Sequence, residues 1–375
     1  MNRSSRIAIV GAGPAGLTLA RLLSLDGFAV EVFERDRSPL ERPQGGTLDL
    51  HEASGQLALK RAGLEAAFRT IARYEDQGTR LMDKHGRLLF ENPTPDAGDR
   101  PEVDRSALRQ ILLDALPEGC VRWGVKVRNV CEAGDGRWTV HEDHVAHGPF
   151  DLVVGADGAG SRVRPLLSPY QPHYSGLTFI EFSIDDVDHR HPDISRLVGR
   201  GKLEVIGDAR ALIVQRNAHA HLRGYAVFRV PRDWAATRAT RPAMLEQFCG
   251  WHPGVLALLH AANDSFRPLA INALPVGHCW AHRPGLTLIG DAAHLMSPYG
   301  GEGVNAALHD ALELAQQLID SPSLSEAVQA FEACMFERVA PLARASADAA
   351  AVQLSHDDIA LALAHLHHHL GESPQ

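Results

Sequence analysis

The chain has 375 residues, 45% of them hydrophobic and 22% charged, which excludes disordered, collagen-like and low-complexity classes and leaves room for two domains. Thirty-seven Lys and Arg against 46 Asp and Glu give a formal charge of −9, which repels a phosphate backbone, so no nucleic-acid partner is expected. Cys120, Cys131, Cys249, Cys279 and Cys334 form neither a Cys-x-x-Cys pair nor a disulfide scaffold, and a reducing cytoplasmic setting is expected. The apolar run from Ile7 to Val10 is too short for a signal-peptide core, and nothing later approaches the roughly 18 apolar residues of a membrane span.

In chain order, residues 6–10 (RIAIV) read as a strand ending at glycine, and the leucines of 17–25 recur at helical spacing. A second strand over 29–34 (AVEVFE) completes a βαβ unit with parallel pairing. The loop at Gly45-Gly46 leads towards a helix over 53–62 that Gly63 ends. Residues 80–90 read as a hairpin about His85-Gly86, and Asp104 is placed to cap a helix over 105–116 stopped by Pro117. Strands are expected over 121–130 and 137–141, joined at Gly134-Asp135-Gly136, and over 151–154. From 170 to 267 the texture is β-rich, with helices near 242–249 and 253–260. TLIGDAAH at 287–294 returns to strand-then-glycine, and Gly300 opens a glycine-rich loop into a helix. Residues 324–370 read as two alanine-rich helical stretches, the last carrying a Leu363, Leu366, Leu370 stripe suited to packing across both domains.

The expected fold class is α/β. A Rossmann-like domain with a parallel sheet and a βαβ N-terminus is assembled discontinuously from 1–73, 101–169 and 268–320. A β-sheet substrate domain comprises 74–100 and 170–267, and a long C-terminal helical segment, 321–375, bridges the two.

Gly11-x-Gly13-x-x-Gly16 stands between the first strand and the first helix, with Glu34 ending the next strand. Gly11 permits the tight turn, Gly13 lets a pyrophosphate approach the backbone, and Gly16 allows close helix–strand packing. The helix N-terminus then favours the phosphates and Glu34 a ribose, which points to a dinucleotide, FAD and NAD being alike in this respect. GADGAGSRVR at 155–164 and GDAAHLMSPYGGEGVN at 290–305 each set an aspartate beside glycine at a strand end. A second GxGxxG and a His-Glu-x-x-His zinc motif are both missing from the sequence. The run His365, His367, His368 and His369 points around a helix instead of converging, so no metal site is expected.

Together these three motifs resemble the single-component, FAD-dependent aromatic hydroxylases, the class A flavoprotein monooxygenases. QGGTLDLHEASGQLALKRAGL, RPEVDRSALRQILLDAL and IGDAAHLMSPYGGEGVNAAL are most similar to the tetracycline-inactivating members. The resemblance implies that Glu34 and Arg35 meet the adenosine of FAD, that Arg105 bonds its ribityl or pyrophosphate stretch, and that Asp291 binds a ribityl hydroxyl. It likewise implies Asp49 as a flavin-binding aspartate, Arg42 as an arginine linked to NADPH, and Asp157 as serving FAD and the nicotinamide. Pro298, Gly301, Gly303, Val304 and Asn305 are expected to run past the flavin ring.

In such enzymes transiently bound NADPH or NADH reduces FAD, O₂ adds at the flavin C4a position, and the hydroperoxide gives one oxygen atom to an electron-rich substrate. No side-chain acid, base or nucleophile is therefore expected to be catalytic. Glu181, Ile213 and Arg223 fall where the tetracycline enzymes hold their substrate, with Glu181 and Arg223 differing in charge from their counterparts. The implied substrate is a tetracycline or a similar small aromatic or polyketide molecule. A simple aromatic acid clamped by Arg223, or flavin or drug binding without turnover, is the alternative. A monomer without membrane contact is expected.

Overall fold

The computed structural model describes residues 5–41, 45–93, 100–352, 354 and 360. Arg42, the histidines at 365 and 367–369, and the leucine stripe at 363–370 lie outside the described residues.

Strand β1 (Arg6–Val10) buries Ile7 to Val10 on both faces, as a central parallel strand must, and pairs in parallel with β2 (Ala29–Glu34). Helix α1 (Pro14–Leu25) crosses between them, with Pro14 at the first turn, where its missing N–H costs nothing. There follow β3 (Thr47–Asp49), a π-helical turn Glu52–Gln56, α2 (Leu57–Arg61) and α3 (Glu65–Ile71). The hairpin β4 (Gly78–Asp83) and β5 (Leu88–Asn92) turns through Gly86 at φ +80°. β6 (Glu102–Asp104) pairs antiparallel with β3 and runs into α4 (Arg105–Asp114).

The strand expected over 121–130 is two strands. Gly124 at φ +76° breaks it, sending β7 (Val121–Trp123) to the edge of the parallel sheet and β8 (Asn129–Glu132) into an antiparallel sheet with β9 (Trp138–His141) and β10 (Ala146–Phe150). β10 has a polar texture, AHGPF, and carried no strand signal. β11 (Leu152–Gly155) returns to the main sheet beside β1. Asp104 precedes α4 but its side chain does not cap it. Its carboxylate instead pairs with Arg73 at 2.8 Å and accepts from the Ala218 N–H and the Asn217 amide at 3.4 Å each.

The long strand β12 (His173–Ile184) opens the second domain, followed by α5 (Val187–Arg190), α6 (Pro192–Val198), β13 (Gly201–Gly207), β14 (Arg210–Arg216) and β15 (Leu222–Arg229). Helices α7 (Arg241–Gln247) and α8 (Pro253–Ala261) precede β16 (Arg267–Ala273). β16 pairs with β12, so this sheet runs past the boundary expected at 268, in the order β16-β12-β15-β14-β13-β4-β5. Side chains alternate across it. Ile180, Phe182, Leu212 and Phe228 pack under Met244, Phe248 and Leu258, while Phe179, Ile213, Tyr225 and Leu269 occupy the opposite face.

β17 (Leu286–Leu288) completes the parallel sheet, in the order β17-β11-β1-β2-β7, and leads through α9 (Asp291–His294) to α10 (Glu302–Asp320). A single helix, α11 (Leu324–Val352), stands where the first alanine-rich stretch was expected. Its Ala327, Val328 and Phe331 belong to the core of the first domain, and its Ala350 packs on the second sheet, where the Ala350 carbonyl accepts from Arg229 at 2.6 Å. No helix among the described residues is long and apolar enough to cross a membrane.

Candidate active site

The glycine fingerprint divides its labour as the spacing predicts. A Cβ on Gly11, at φ +108°, would lie 2.4 Å from the Ala156 carbonyl oxygen, and one on Gly16 would lie 2.1 Å from that of Gly11. Both positions are closed by packing. Nothing lies within 4 Å of a Cβ on Gly13, which begins α1 with no side-chain cap, so there is room for a ligand at the helix start. The buried Glu34 carboxylate accepts from the N–H of Ala12 and of Asp36, at 2.8 and 2.9 Å, and so fixes the turn from the far side. Beside it Arg35 is exposed.

Arg109 carried no expectation, yet it holds this corner together. Its side chain is almost fully buried, donating to the carbonyls of Ala12 (3.0 Å) and Pro39 (3.1 Å) and lying 3.8 and 3.5 Å from Glu34 and Asp36. The signal was a charged residue on the apolar stripe formed with Leu108 and Leu112.

Asp157, at the end of β11, accepts the Arg162 N–H through Oδ2 at 2.6 Å, which is a turn role, while its buried Oδ1 lacks a protein partner. Burial pushes its carboxyl above the ordinary aspartate range, making it a weaker acid. Asp291 stands exposed at the first position of α9, and Arg164 is buried behind it, bonded to the Ala292 carbonyl at 3.0 Å.

Opposite lies the segment that the two-stranded β3–β6 sheet presents. Asp49 Oδ2 is 3.1 Å from His51 Nε2, and His51 Nδ1 is 3.7 Å from Glu302, the first residue of α10. Asn305 does not turn its side chain to open space: it donates to the Asp49 carbonyl at 3.0 Å and accepts the His51 N–H at 2.9 Å, clasping the segment onto α10. Burial opposes the Asp49 charge, but the hydrogen bond and charge of His51 outweigh it and hold the carboxyl below its usual range. Gly301 is left-handed at φ +70°, and a Cβ there would lie 3.0 Å from Asp49 Oδ1. Pro298 is exposed and closes this loop by accepting the Gly301 N–H at 3.2 Å; Gly303 has nothing within 4 Å of its Cβ position, and Val304 packs on the core.

Glu102, directly opposite Asp49 in the strand pair, was also missed. Burial, with the nearby Asp49 charge, pushes its carboxyl up to about 8. Thr47 donates to it at 2.6 Å and Gln215, from the second domain, at 2.8 Å.

The second sheet brings the three expected substrate residues onto one face. Ile213 and Glu181 both lie beside Tyr225 in register, and Arg223 is one step along the same face. Glu181 is shared between Arg223 and Arg267 at 2.9 Å each, so the two residues neutralise one another in part. The Arg223 Nε is buried without a protein partner, and its Cδ is 3.0 Å from a Cβ position on Gly46. Arg105 is exposed and lies along Gly45, 3.7 Å from that Cβ position. Phe179, Tyr225 and Tyr299 form an aromatic group, with ring centroids 5.7 and 5.9 Å apart, and the buried Tyr299 hydroxyl lacks a protein partner.

This chain matches the family described as FAD binding domain over residues 4–246 and 259–326. It belongs to that family of flavoprotein monooxygenases. Monooxygenase asqM of Emericella nidulans is 33% identical to it over 84% of this chain and 83% of that protein. The 6-hydroxynicotinate 3-monooxygenase of Pseudomonas fluorescens is 29% identical, covering 93% of this chain and 92% of its own length. The crystal structure of Klebsiella pneumoniae HpxO with FAD and uric acid matches with a TM-score of 0.82 at 20% identity, over 98% of this chain and 93% of that one. Tetracycline destructase Tet(55) matches with a TM-score of 0.74 at 23% identity, over 99% and 96%. These two likenesses establish a shared fold.

FAD is the cofactor of this family, and the polar groups left open at the ends of the first sheet fit it. The open Gly13 cradle, the uncapped start of α1, the orphaned Asp157 Oδ1 and the exposed Asp291 carboxylate are the donors and acceptors that a pyrophosphate and a ribityl chain need.

Proposed function

We propose that this monooxygenase oxygenates a polycyclic phenol or enol of the tetracycline kind, bound as its anion between the inner face of the second sheet and Asp49. The observation that carries this reading is the group of Phe179, Tyr225 and Tyr299 rings on the sheet face that also carries Arg223, whose Nε is buried without a protein partner. Flat fused rings suit the aromatic group, and an enolate or phenolate oxygen supplies an acceptor for the arginine.

Bound FAD supplies the two-electron chemistry with NADPH or NADH and the activation of O₂. The chain's own residues bind, orient and exclude. Gly13 and the first N–H groups of α1 hold the pyrophosphate, Glu34 and Arg35 meet the adenosine, and Arg105 and Asp291 hold the chain leading to the ring. Asp157 offers its free oxygen to the cofactor while its other oxygen keeps the turn. The start of α10, at Glu302 to Asn305, would offer its helix N-terminus to the ring. Ile213, Phe179 and Tyr225 keep water from the reacting carbon.

A second reading, a simple aromatic acid, is favoured by the 6-hydroxynicotinate relative and by the same Arg223, whose Nε fits a carboxylate. Incubation of purified protein with FAD, NADPH, O₂ and tetracycline, followed by mass spectrometry, tests the first reading. One added oxygen atom supports it. Unaltered drug, with hydrogen peroxide released in step with NADPH loss, rejects it, and 6-hydroxynicotinate is the corresponding probe for the second.

A further inference from the structure

Every turnover of a monooxygenase consumes a proton: NAD(P)H, H⁺, O₂ and RH give NAD(P)⁺, ROH and H₂O. A site that excludes bulk water must take this proton from a protein group. We propose that Glu302, His51 and Asp49 form a relay that carries it from solvent into the cleft.

The geometry sets the direction. On one side His51 lines a cavity of about 660 Å³, together with Glu52, Lys60, Arg69 and Arg100; Glu52, Lys60 and Arg69 are exposed, so the space is wet. On the other side Asp49 faces Gly301 and lies near the inner face of the second sheet, where it feels Lys202. Between them, His51 is only 14% exposed and stands with one nitrogen towards each carboxylate, at 3.7 Å to Glu302 and 3.1 Å to Asp49. The longer gap exceeds a hydrogen bond and closes with a small rotation of Glu302.

In the transfer, the Glu302 carboxyl gives its proton to His51 Nδ1, the Nε2–H bond breaks towards Asp49 Oδ2, and Asp49 donates into the cleft. Glu302, a quarter exposed, then reloads from solvent, and His51 returns to its Nε2–H tautomer before the next turnover. Charged groups on each packed element shape this path: Asp49 on β3, Glu52 on the π-helical turn, Lys60 on α2, Arg69 on α3, Glu102 on β6, Lys202 on β13 and Glu302 on α10, with Arg100 beside Glu302. Burial raises Glu302, whereas His51 keeps Asp49 low, so the proton is stored on Glu302 between turnovers and Asp49, once protonated, gives it up readily. Asn305, bonded to both Asp49 and His51 backbones, keeps the three in line.

The test needs no organic substrate, so its failure is separable from failure of the substrate reading. Holoenzyme reduced anaerobically with dithionite is mixed with oxygen, and the return of oxidised flavin is followed; here reduced FAD (FADH⁻), O₂ and one proton give FAD and H₂O₂. His51→Gln and Glu302→Gln are expected to slow this reoxidation, His51→Gln by about a hundredfold, with the loss deepening as pH rises. Imidazole in the buffer restores the rate of His51→Ala through the cavity. A second readout is NMR of the oxidised holoenzyme: the imidazole signal missing in His51→Gln titrates at lower pH in Asp49→Asn, which has lost the anionic neighbour of the ring. Rates within about twofold of the parent in both glutamine variants, or no response to imidazole, or an unmoved His51 titration, overturns the proposal.

Discussion

Arg109→Met isolates the corner that shapes the phosphate-binding turn. Methionine keeps most of the buried stem but removes the guanidinium, and with it the bonds to the Ala12 and Pro39 carbonyls. Glu34 and Asp36, each 5% exposed, then lose a shared cation that lies within 3.8 Å of both. Breaking a buried ion pair by removing one partner costs about 3–5 kcal/mol, and the two lost carbonyl bonds overlap with that figure more than they add to it. Urea unfolding at a fixed FAD concentration measures the loss, with Trp123, whose ring lies 5.3 Å from the guanidinium, as a fluorescence reporter. Asp36→Asn in the Arg109→Met background should recover part of it, because one stranded charge is gone. A loss below about 1 kcal/mol, or no recovery in the double variant, refutes the claim that this arginine neutralises the corner.

Gly16→Ala and Gly13→Ala should separate folding from cofactor retention: the first forces a methyl group against the Gly11 carbonyl and lowers stability by several kcal/mol, about the cost of core overpacking. The second leaves unfolding nearly unchanged and sheds FAD, so equal FAD content in Gly13→Ala and parent would contradict the cradle. Asp291→Ala should lose far more FAD on purification than Glu181→Ala, as read from absorbance per protein; equal content would displace Asp291 from the ribityl site. Glu102 binds its proton more tightly folded than unfolded, so its stabilising contribution is complete below an ordinary carboxyl value of 4.5 and is lost as pH rises towards about 8. Glu102→Gln should flatten the melting temperature over that window, and an unchanged pH slope would remove Glu102 from the buried acids.

Much of the first domain could be read directly because its elements are specified locally. The aliphatic run of β1, the leucine spacing of α1 and the three fingerprint glycines each state their own role, and the structure gives Gly11 and Gly16 the close contacts that only glycine allows. What escaped is decided by distant partners. Asp104 has the residue type of a helix cap but meets Arg73 and the turn at Ala218, so tertiary pairing overrides capping. Glu102 looks like any strand acid until Gln215, 113 residues away, is placed against it. His51 and Glu302 are separated by most of the chain and become neighbours only when α10 docks beside β3. On the second sheet, the resemblance singled out Glu181, Ile213 and Arg223, and strand pairing sets them on one face, but nothing local showed that Glu181 is shared by two arginines.

The parallel sheet has a consequence for how the polypeptide matures. Its central strand, Arg6–Val10, is synthesised well before its partners: one flank waits for Leu152–Gly155 and the layer closes only with Leu286–Leu288. Meanwhile the insert from His173 to Ala273 can complete most of its own sheet, apart from the Gly78–Asp83 and Leu88–Asn92 hairpin borrowed from upstream. Assembly thus lags synthesis, with an early strand completed late. The helix Leu324–Val352 then covers the first domain's core, and a nascent chain halted before it would display the greasy seam that Phe331 and Met335 cover, a natural target for chaperones and quality-control proteases.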